Sequence, residues 1–592
     1  MSILSQPEVA RFETTRRLLS HLVNEGLCAA YLESADTEQL QWMRLVSFTS
    51  QPPEHSMVKV RIEPAQLGLN ENGQVNSLLR PCQLRPPVLL FENLQSRPEL
   101  DPGVIFQFVF PWFAQPEIES MRDAIAQELQ NASANQETWL DVAAQLPPLA
   151  LMSPAIEWER TLVTGHPTHP ASKLHKTLYT QPPLPQIQPA QIWDMLSPQV
   201  TFLSVPRSQV RVSGPFENLL SSLLTKLDIP NSSEDRIIVP SLAQQSPSIL
   251  SRFHDVQIVG SERASAQASM RTLTLRPELN FKYHLKLSLA CQITSALRTI
   301  TPWTALGGAE VSALLEKLLP PDMWLFKEVA AVTGAQEDFN DAKHFSCILR
   351  EDLELRANTQ GESLIIASAF SQLPVTGFEK ETTAHPEALF PPANEQREKK
   401  EWFRSAQSHY RTSSYFGSRC YISILLNLTL PPLVNHGIGL EAHGQNTCVR
   451  ICRASRTIKG FAVRDFGGIR LHMPTLRSQG YDLHTIPPGA ATTTDDLHDV
   501  WSKVHHYLFQ NHIGQLVVAL GLEEDGGWGV VRDEVRRVLF PSGRGKGCGL
   551  HAEGLYGFLM EETMPFKCFL RMRMEGKYRD YVERRLPNVL LY

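Results

Sequence analysis

A chain of 592 residues is too long for one hydrophobic core, so two to four packed units are expected. Hydrophobic residues at 42% and charged residues at 20% exclude a disordered or fibrous chain, and a net charge of -6 leaves no basic footprint for nucleic acid. No run of about 18 apolar residues exists, and acids interrupt the first residues where a signal peptide needs an apolar segment, so a cytoplasmic protein without a membrane partner is expected. Nine cysteines without regular spacing read as reduced core thiols, Cys448 and Cys452 included.

The first unit, residues 1–155, reads as α+β. Phe12, Leu18, Leu19, Leu22 and Val23 fall at helical intervals, and Asn24-Glu25-Gly26 stops the pattern. Short strands such as residues 57–62 follow, and a second helical pattern over 117–129 ends at the Asn-Ala-Ser-Ala-Asn stretch. The charges of this unit read as a solvated surface. Prolines over residues 179–206 force extended backbone and predict a stiff connector. A polar, proline-bearing stretch over 382–400 separates a middle unit, 156–381, from a C-terminal unit, 382–592. In the last unit a helical segment over 495–520 carries Val500, Val504, Tyr507 and Leu508 as an apolar stripe, broken near its end by Asn511 and His512. The run G-R-G-K-G-C-G over 543–549 lacks the G-x-x-x-x-G-K-[ST] order of a phosphate loop and reads as a surface loop.

Four stretches carry the chemistry. Residues 165–173, G-H-P-T-H-P-A-S-K, present two imidazoles, one of them His169, and Lys173 on a turn stiffened by two prolines. That presentation suits a base and phosphates, and it equally suits histidines satisfied within a turn. Residues 281–291 alternate strictly, with Lys282, His284 and Lys286 opposite a core face. Just before them Ser269 and Arg271 share a side if the segment is extended; just after, Thr294 and Arg298 share a face if the chain turns helical. Together these residues make an anion pocket, since guanidinium forks match carboxylates and phosphates. The fourth stretch packs Glu441, His443, Gln445 and Asn446 among glycines, followed by two alternating runs that return Arg464 and Asp465 beside them as a hairpin. Carboxylate, imidazole, amides and arginine brought together make a place for a metal nucleotide and a second anion.

In order and spacing, H-P-T-H-P-A-S-K, A-S-M-R-T, K-L-S-L-A-C-Q-I-T-S-A-L-R and G-L-E-A-H-G-Q-N followed by R-D-F-G-G resemble the signature blocks of the IucA/IucC family of siderophore synthetases, which work independently of non-ribosomal peptide synthetases. The blocks span residues 165–468, with weaker likeness at Asn511-His512 and over 567–573. The resemblance implies a hand-like α+β fold of thumb, fingers and palm and an ATP-dependent ligase. Such enzymes adenylate a carboxylate, usually of citrate, and pass the acyl group to an amine or alcohol; relatives are often dimers. It further implies nucleotide contacts at His169, Lys173, Ser269, Arg271, Lys286, Gln445, Asn446 and Asp465. Citrate and the reacting phosphate would meet Thr294, Arg298 and His443, with Ser269 and Arg271 beside them, and Mg2+ would take Glu441, Asn446 and Asp465. The first block departs from the family pattern at His175 and Thr177, where arginine and glycine are usual, and fixed charge is lost at His175 near pH 7. That departure keeps a catalytically silent homologue in view, alongside the same chemistry on 2-oxoglutarate, aspartate or a citrate monoamide. A surface for the amine is expected in the C-terminal third near Lys567, Arg571 and Arg573, a basic stretch that equally reads as a solvated face.

Overall fold

A computed structural model of the chain describes residues 4–33, 41–48, 56–63, 67–93, 95–147, 149–162, 179–292, 297–371, 421–523, 526–541, 549–577 and 582–592. His169, Lys173, His175, Thr177, Thr294, the 382–400 stretch and residues 543–548 of the glycine-rich run lie outside these.

In the N-terminal part a five-stranded antiparallel sheet follows chain order, Ala29–Leu32, Gln41–Val46, Met57–Ile62, Leu84–Glu92 and Gln95–Pro98. Helix Gln6–Asn24 begins ahead of the apolar spacing because the Ser5 amide donates to the Glu8 carboxylate at 2.7 Å, closing a capping box. Its charges are not a solvated surface. Glu13, Arg16, Arg17, His21 and Glu25 are buried, and Arg16 pairs with Glu13 at 2.5 Å. The cover is the C-terminal helix Phe569–Met574, whose Leu570 and Met574 join the same core. The Asn-Ala-Ser-Ala-Asn stretch does not end a helix either: Arg122–Gln145 runs through it, with the Asn135 amide donating to the Asn131 side chain one turn back at 3.0 Å. Buried Trp139 and Leu140 carry the apolar side onward, and tertiary packing overrides local propensity.

An eight-stranded antiparallel sheet follows, in the order Val210–Ser213, Glu328–Gly334, Ser346–Glu351, Tyr283–Leu287, Thr272–Leu275, Gln257–Ala266, Gln199–Pro206, Arg236–Leu242. Gln199–Pro206 is thus an inner strand, not part of a connector. Its apolar run from Val200 to Val205 is buried, and Pro198 and Pro206 sit at its margins, where a missing N–H disturbs the ladder least. Strand Tyr283–Leu287 has a polar face that is covered as well as an apolar one: His284 and Lys286 are both buried. Against this sheet stands a four-stranded one, in which Met323–Leu325 runs parallel to Ile458–Val463, which pairs antiparallel with Thr447–Cys452 and then Glu362–Ile366. The hairpin expected after residue 446 is present, with Val449 opposite Phe461 and Thr447 opposite Val463. Behind it the helical segment Leu497–Val504 continues through a π-helical stretch, His505–Ile513, into Gly514–Ala519, and Asn511 and His512 are buried inside the wider turn. No described helix is long and apolar enough to cross a membrane.

Candidate active site

Two walls meet where the sheets face each other. On the eight-stranded side, Ser269 and Arg271 lie in a tight turn and not on extended backbone. The Met270 amide donates to Gln267 at 2.8 Å, the Gln267 amide to Thr272 at 2.9 Å, and Met270 has φ +63°. The turn sends Ser269 toward Thr272, with Oγ–Oγ1 at 3.0 Å, and lets the Arg271 guanidinium donate to the Arg298 and Thr299 carbonyls at 2.9 and 3.3 Å. Arg298 lies in the short strand Leu297–Arg298 opposite Leu289, where pairing with the strand Leu289–Gln292 holds it extended; residues 293–296, over which the helical turn is expected, lie outside the described residues. Its buried Nε has no hydrogen-bond partner among the described residues, a donor suited to an incoming anion.

Lys286 projects from its strand to Glu328, donating to Oε1 at 2.8 Å, and contacts the Asp465 carboxylate. Gly308 leaves room for that arrangement, since a Cβ there would overlap the Glu328 carboxylate. Asp465 ends the hairpin at φ +66°. Burial alone would raise its pKa; Lys286, Arg350 and Arg271 together hold its carboxyl far below the usual carboxylate range.

The opposite wall is the loop from Glu441 to Asn446. The Ser368 amide donates to the Gly444 carbonyl at 2.9 Å, and Arg464 donates to the Gln445 carbonyl at 3.1 and 2.8 Å. Arg464 is itself locked to Glu159, bonding Oε2 at 3.0 Å and contacting Oε1; burial opposes charge on Glu159, and Arg464 keeps its pKa low nonetheless. Gln445 and Asn446 are consequently buried, and the Arg464 amide donates to the Asn446 carbonyl at 3.1 Å. His443 Nδ1 accepts the Gln445 amide at 3.2 Å, which leaves Nε2, 3.7 Å from Glu441 Oε1, as the proton-bearing nitrogen of the neutral ring. Gly468 permits this because any Cβ there would overlap the Glu441 carboxylate.

The structure therefore joins Lys286 to Asp465, Arg271 to Arg298, Glu441 to His443, and Gln445 with Asn446 to Arg464. Several supporting residues carry no local sequence signal. Glu328 pairs with Lys286 from a distant strand, and Arg350 donates to Gln267 at 2.5 Å and approaches Asp465 at 3.9 Å. His512 is the one a motif pointed near: its Nδ1 donates to the Ala442 carbonyl at 2.8 Å and its Nε2 accepts the Tyr421 hydroxyl at 2.6 Å. Burial pushes His512 down to about 4, so it is neutral and pins the backbone between Glu441 and His443. Among the described residues no three His, Cys, Asp or Glu side chains are placed to hold a metal by themselves. Glu441, Asn446 and Asp465 nevertheless supply the oxygen donors a hard divalent cation takes together with phosphates.

The basic stretch after Phe566 divides. Arg573 pairs with buried Glu128, Nε to Oε1 3.1 Å, and Arg571 with Glu575 at 3.6 Å, while Glu25 accepts the Leu570 and Arg571 amides at 2.9 and 2.8 Å. Arg573 and the backbone of Phe569–Met574 thus pack against the helices of the N-terminal part, while Arg571 keeps a partly exposed side chain. Lys567 differs: half-buried over the Phe569 ring at 4.6 Å, it falls to about 7, chiefly through burial and then through Lys503, with Glu441 opposing.

In this mixed α/β body Lys286, Arg350 and Arg271 converge on Asp465, whose neighbour Arg464 holds the Gln445 carbonyl. Residues 251–372 match the family model described as "IucA / IucC family", and residues 418–582 match the one described as "Ferric iron reductase FhuF-like transporter". An NRPS-independent siderophore synthetase-like protein, ankE, of Aspergillus thermomutatus is 42% identical, covering 100% of this chain and 97% of the relative. An NRPS-independent siderophore synthetase, rfs, of Rhizopus delemar is 31% identical over 81% of this chain and 73% of the relative. A D-ornithine–citrate ligase of Staphylococcus aureus is 23% identical over 73% and 69%. The fold matches that of ATP-bound aerobactin synthetase IucA of Klebsiella pneumoniae with a TM-score of 0.69 at 15% identity, covering 98% of this chain and 99% of that one. The chain belongs to the IucA/IucC family of NRPS-independent siderophore synthetases.

Proposed function

We propose that this protein is an ATP-dependent ligase that adenylates a carboxylate of citrate, or of a related polycarboxylate, and transfers the acyl group to an amine. The observation carrying the proposal is the convergence of Lys286, Arg350 and Arg271 on Asp465, with Lys286 shared with buried Glu328. A carboxylate and a triphosphate repel each other, and cations fixed in advance offset that repulsion at the moment of reaction. Family membership and a citrate ligase among the relatives support citrate and an amine as the substrates.

In this reading Arg298 and Thr294 hold the acid, and His443 donates its Nε2 proton to the charge developing on the reacting phosphate. A carboxylate oxygen bonds to the α-phosphorus as the bond to the β-phosphate oxygen breaks, releasing pyrophosphate. The amine nitrogen then bonds to the acyl carbon, loses its proton, and AMP leaves. Ser269, Arg271, Lys286, Gln445, Asn446 and Asp465 border the nucleotide, with His169 and Lys173 proposed beside it. Glu441, Asn446 and Asp465 would hold Mg2+, which would supply neutralisation of phosphate charge. Lys286 has a defined part: it is shared between Glu328 and Asp465, and a phosphate can draw it from Asp465 while Glu328 keeps it oriented. The hand-like division into 1–155, 156–381 and 382–592 belongs to the same proposal.

Pyrophosphate release that requires both citrate and Mg2+ is expected, with a hydroxamate trapped when hydroxylamine replaces the amine. Absence of release with every member of a panel of di- and tricarboxylates would overturn the reading. His443→Ala is expected to slow release by about a hundredfold; a rate within about twofold of the parent removes that role.

A further inference from the structure

A crevice of about 790 Å³ lies between the two sheets, separate from the walls just described. None of Ser269, Arg271, Lys286, Arg298, Glu441, His443, Gln445, Asn446 or Asp465 lines it. Its volume is in the range of small-molecule sites. Phe281, Tyr283 and Phe326 supply apolar wall, and Glu351, Asp352 and Glu354 stand together on one side.

The charges are unevenly placed. Lys282, Arg276 and Arg356 at the crevice are exposed, whereas Glu351, Asp352 and Glu354 are partly buried. Three of the cations have other engagements: Arg276 pairs with Glu262 at 3.0 Å, Arg356 stacks on Trp324 at 3.9 Å, and Lys327 pairs with Glu316 at 3.0 Å and Glu351 at 3.5 Å, while Lys282 points its exposed side chain to solvent. Asp352 shares His284 at 3.4 Å. That leaves Glu354, whose carboxylate accepts only the Ala155 amide, at 3.2 Å, and makes no ion pair among the described residues. Burial, reinforced by Asp352, raises its pKa, the response of a carboxylate short of a cation, with Arg453 only a distant counterweight.

The far wall of the crevice is the back of the active-site scaffold. His284, Gln267 and Glu159 line it, and each holds an arginine that reaches the site. His284 Nδ1 meets Arg350 at 3.2 Å, Gln267 accepts from Arg350 and Arg464, and Glu159 clamps Arg464. Arg350 approaches Asp465, and Arg464 holds the Gln445 carbonyl. We propose that the crevice is an effector site for a small organic ammonium ion, its charge on Glu354 and its apolar body on Phe281, Tyr283 and Phe326, coupled through His284 and Arg350 to the nucleotide side of the active site. The coupling half of this proposal rests on Asp465 bordering the nucleotide, as the proposed function has it; the binding half does not.

The test uses the full-length protein and calorimetry, with phenethylamine as probe and phenethyl alcohol as its neutral match. The amine is expected to bind about tenfold tighter than the alcohol or better, and Glu354→Gln, which keeps an acceptor for the Ala155 amide, is expected to remove that preference with the melting temperature unchanged. Equal affinity for the two probes, no binding of either, or a preference that survives Glu354→Gln overturns the site. Saturating phenethylamine is then expected to change the ATP dissociation constant about fivefold or more, and ATP the amine constant by the same factor. Amine binding with no such shift in a protein that binds ATP overturns the effector role. A protein that binds the amine but no ATP refutes the proposed function and leaves the binding site standing. Glu354→Gln is expected to turn over normally without effector; a raised KM for the condensing amine would make the crevice a substrate entrance and overturn the proposal.

Discussion

Two basic stretches of this chain look alike on paper and end in different employment. The stretch from Ser269 to Arg298 gathers two of its cations on Asp465, where Lys286 also meets Glu328 and Arg271 braces Arg298, while Arg276 goes to Glu262. The stretch from Lys567 to Arg573 scatters them: Arg573 goes to Glu128, Arg571 to its neighbour Glu575, and Lys567 alone turns toward Lys503 and Glu441. Cation count does not separate the two. What separates them is where the opposing carboxylates come from. Glu128 and Glu25 lie on helices of the N-terminal part and make the second stretch a docking device. Asp465 ends a strained turn and is over-supplied with positive charge, which fits a group that exchanges partners when a substrate arrives.

The largest expected effect comes from breaking the first arrangement at its centre. Lys286→Met strands Glu328 and Asp465 as buried like charges, so a loss of about 3 to 5 kcal/mol in stability is expected together with loss of pyrophosphate release. Urea unfolding measures the first; adding Glu328→Gln is expected to recover part of the stability and none of the activity. Arg298→Ala is next and cleaner. Its Nε lacks a partner among the described residues, so the fold has little to lose, whereas release is expected to fall about a hundredfold to a thousandfold. A variant with near-parent turnover would detach Arg298 from the acid.

Arg573→Ala probes the second stretch. Its partner Glu128 is buried, so stability is expected to drop by about 1 to 3 kcal/mol, with kcat per folded molecule within about twofold of the parent. A comparable fall in kcat with unchanged stability would move Arg573 from docking into the site, and the contrast between the two stretches would fail.

Much of the site could be read from the chain because its residues are local in sequence. The loop from Glu441 to Asn446 and the hairpin returning Asp465 follow from alternation and glycine placement, and both are present. The alternation around Lys286 marks a strand correctly but not that its polar face is covered, because Glu328 and Asp465 reach it from distant segments. The same blindness hid Arg350 and Glu159, whose partners lie far along the chain. Local rules also failed outright, and two places show why. The asparagine-rich stretch stays helical because Trp139 and Leu140 beyond it are buried, and Arg298 is extended because a neighbouring strand pairs with it. In each case packing outweighs a propensity worth well under about 1 kcal/mol per residue.

The smallest predicted effect bears most finely on the comparison, because it concerns the one cation of the second stretch that faces the active site. Lys567 is lowered to about 7 by burial first and then by Lys503 and Arg470, while Glu441 and Glu583 pull the other way. Its folded value lies below its unfolded one, so the unfolded chain binds the proton more readily between about pH 7 and 10.4, and stability rises with pH across that window. Below pH 7 the charged form is carried in the folded state at full cost. Lys567→Met is therefore expected to be more stable than the parent at pH 6, by about 1 kcal/mol for a half-buried group, and the gap is expected to close by pH 10. Thermal unfolding across that range measures it. A gap that widened with pH would mean that Glu441 outweighs Lys503 and that Lys567 is held as a cation, which would make the second stretch, at this one residue, an anion site like the first.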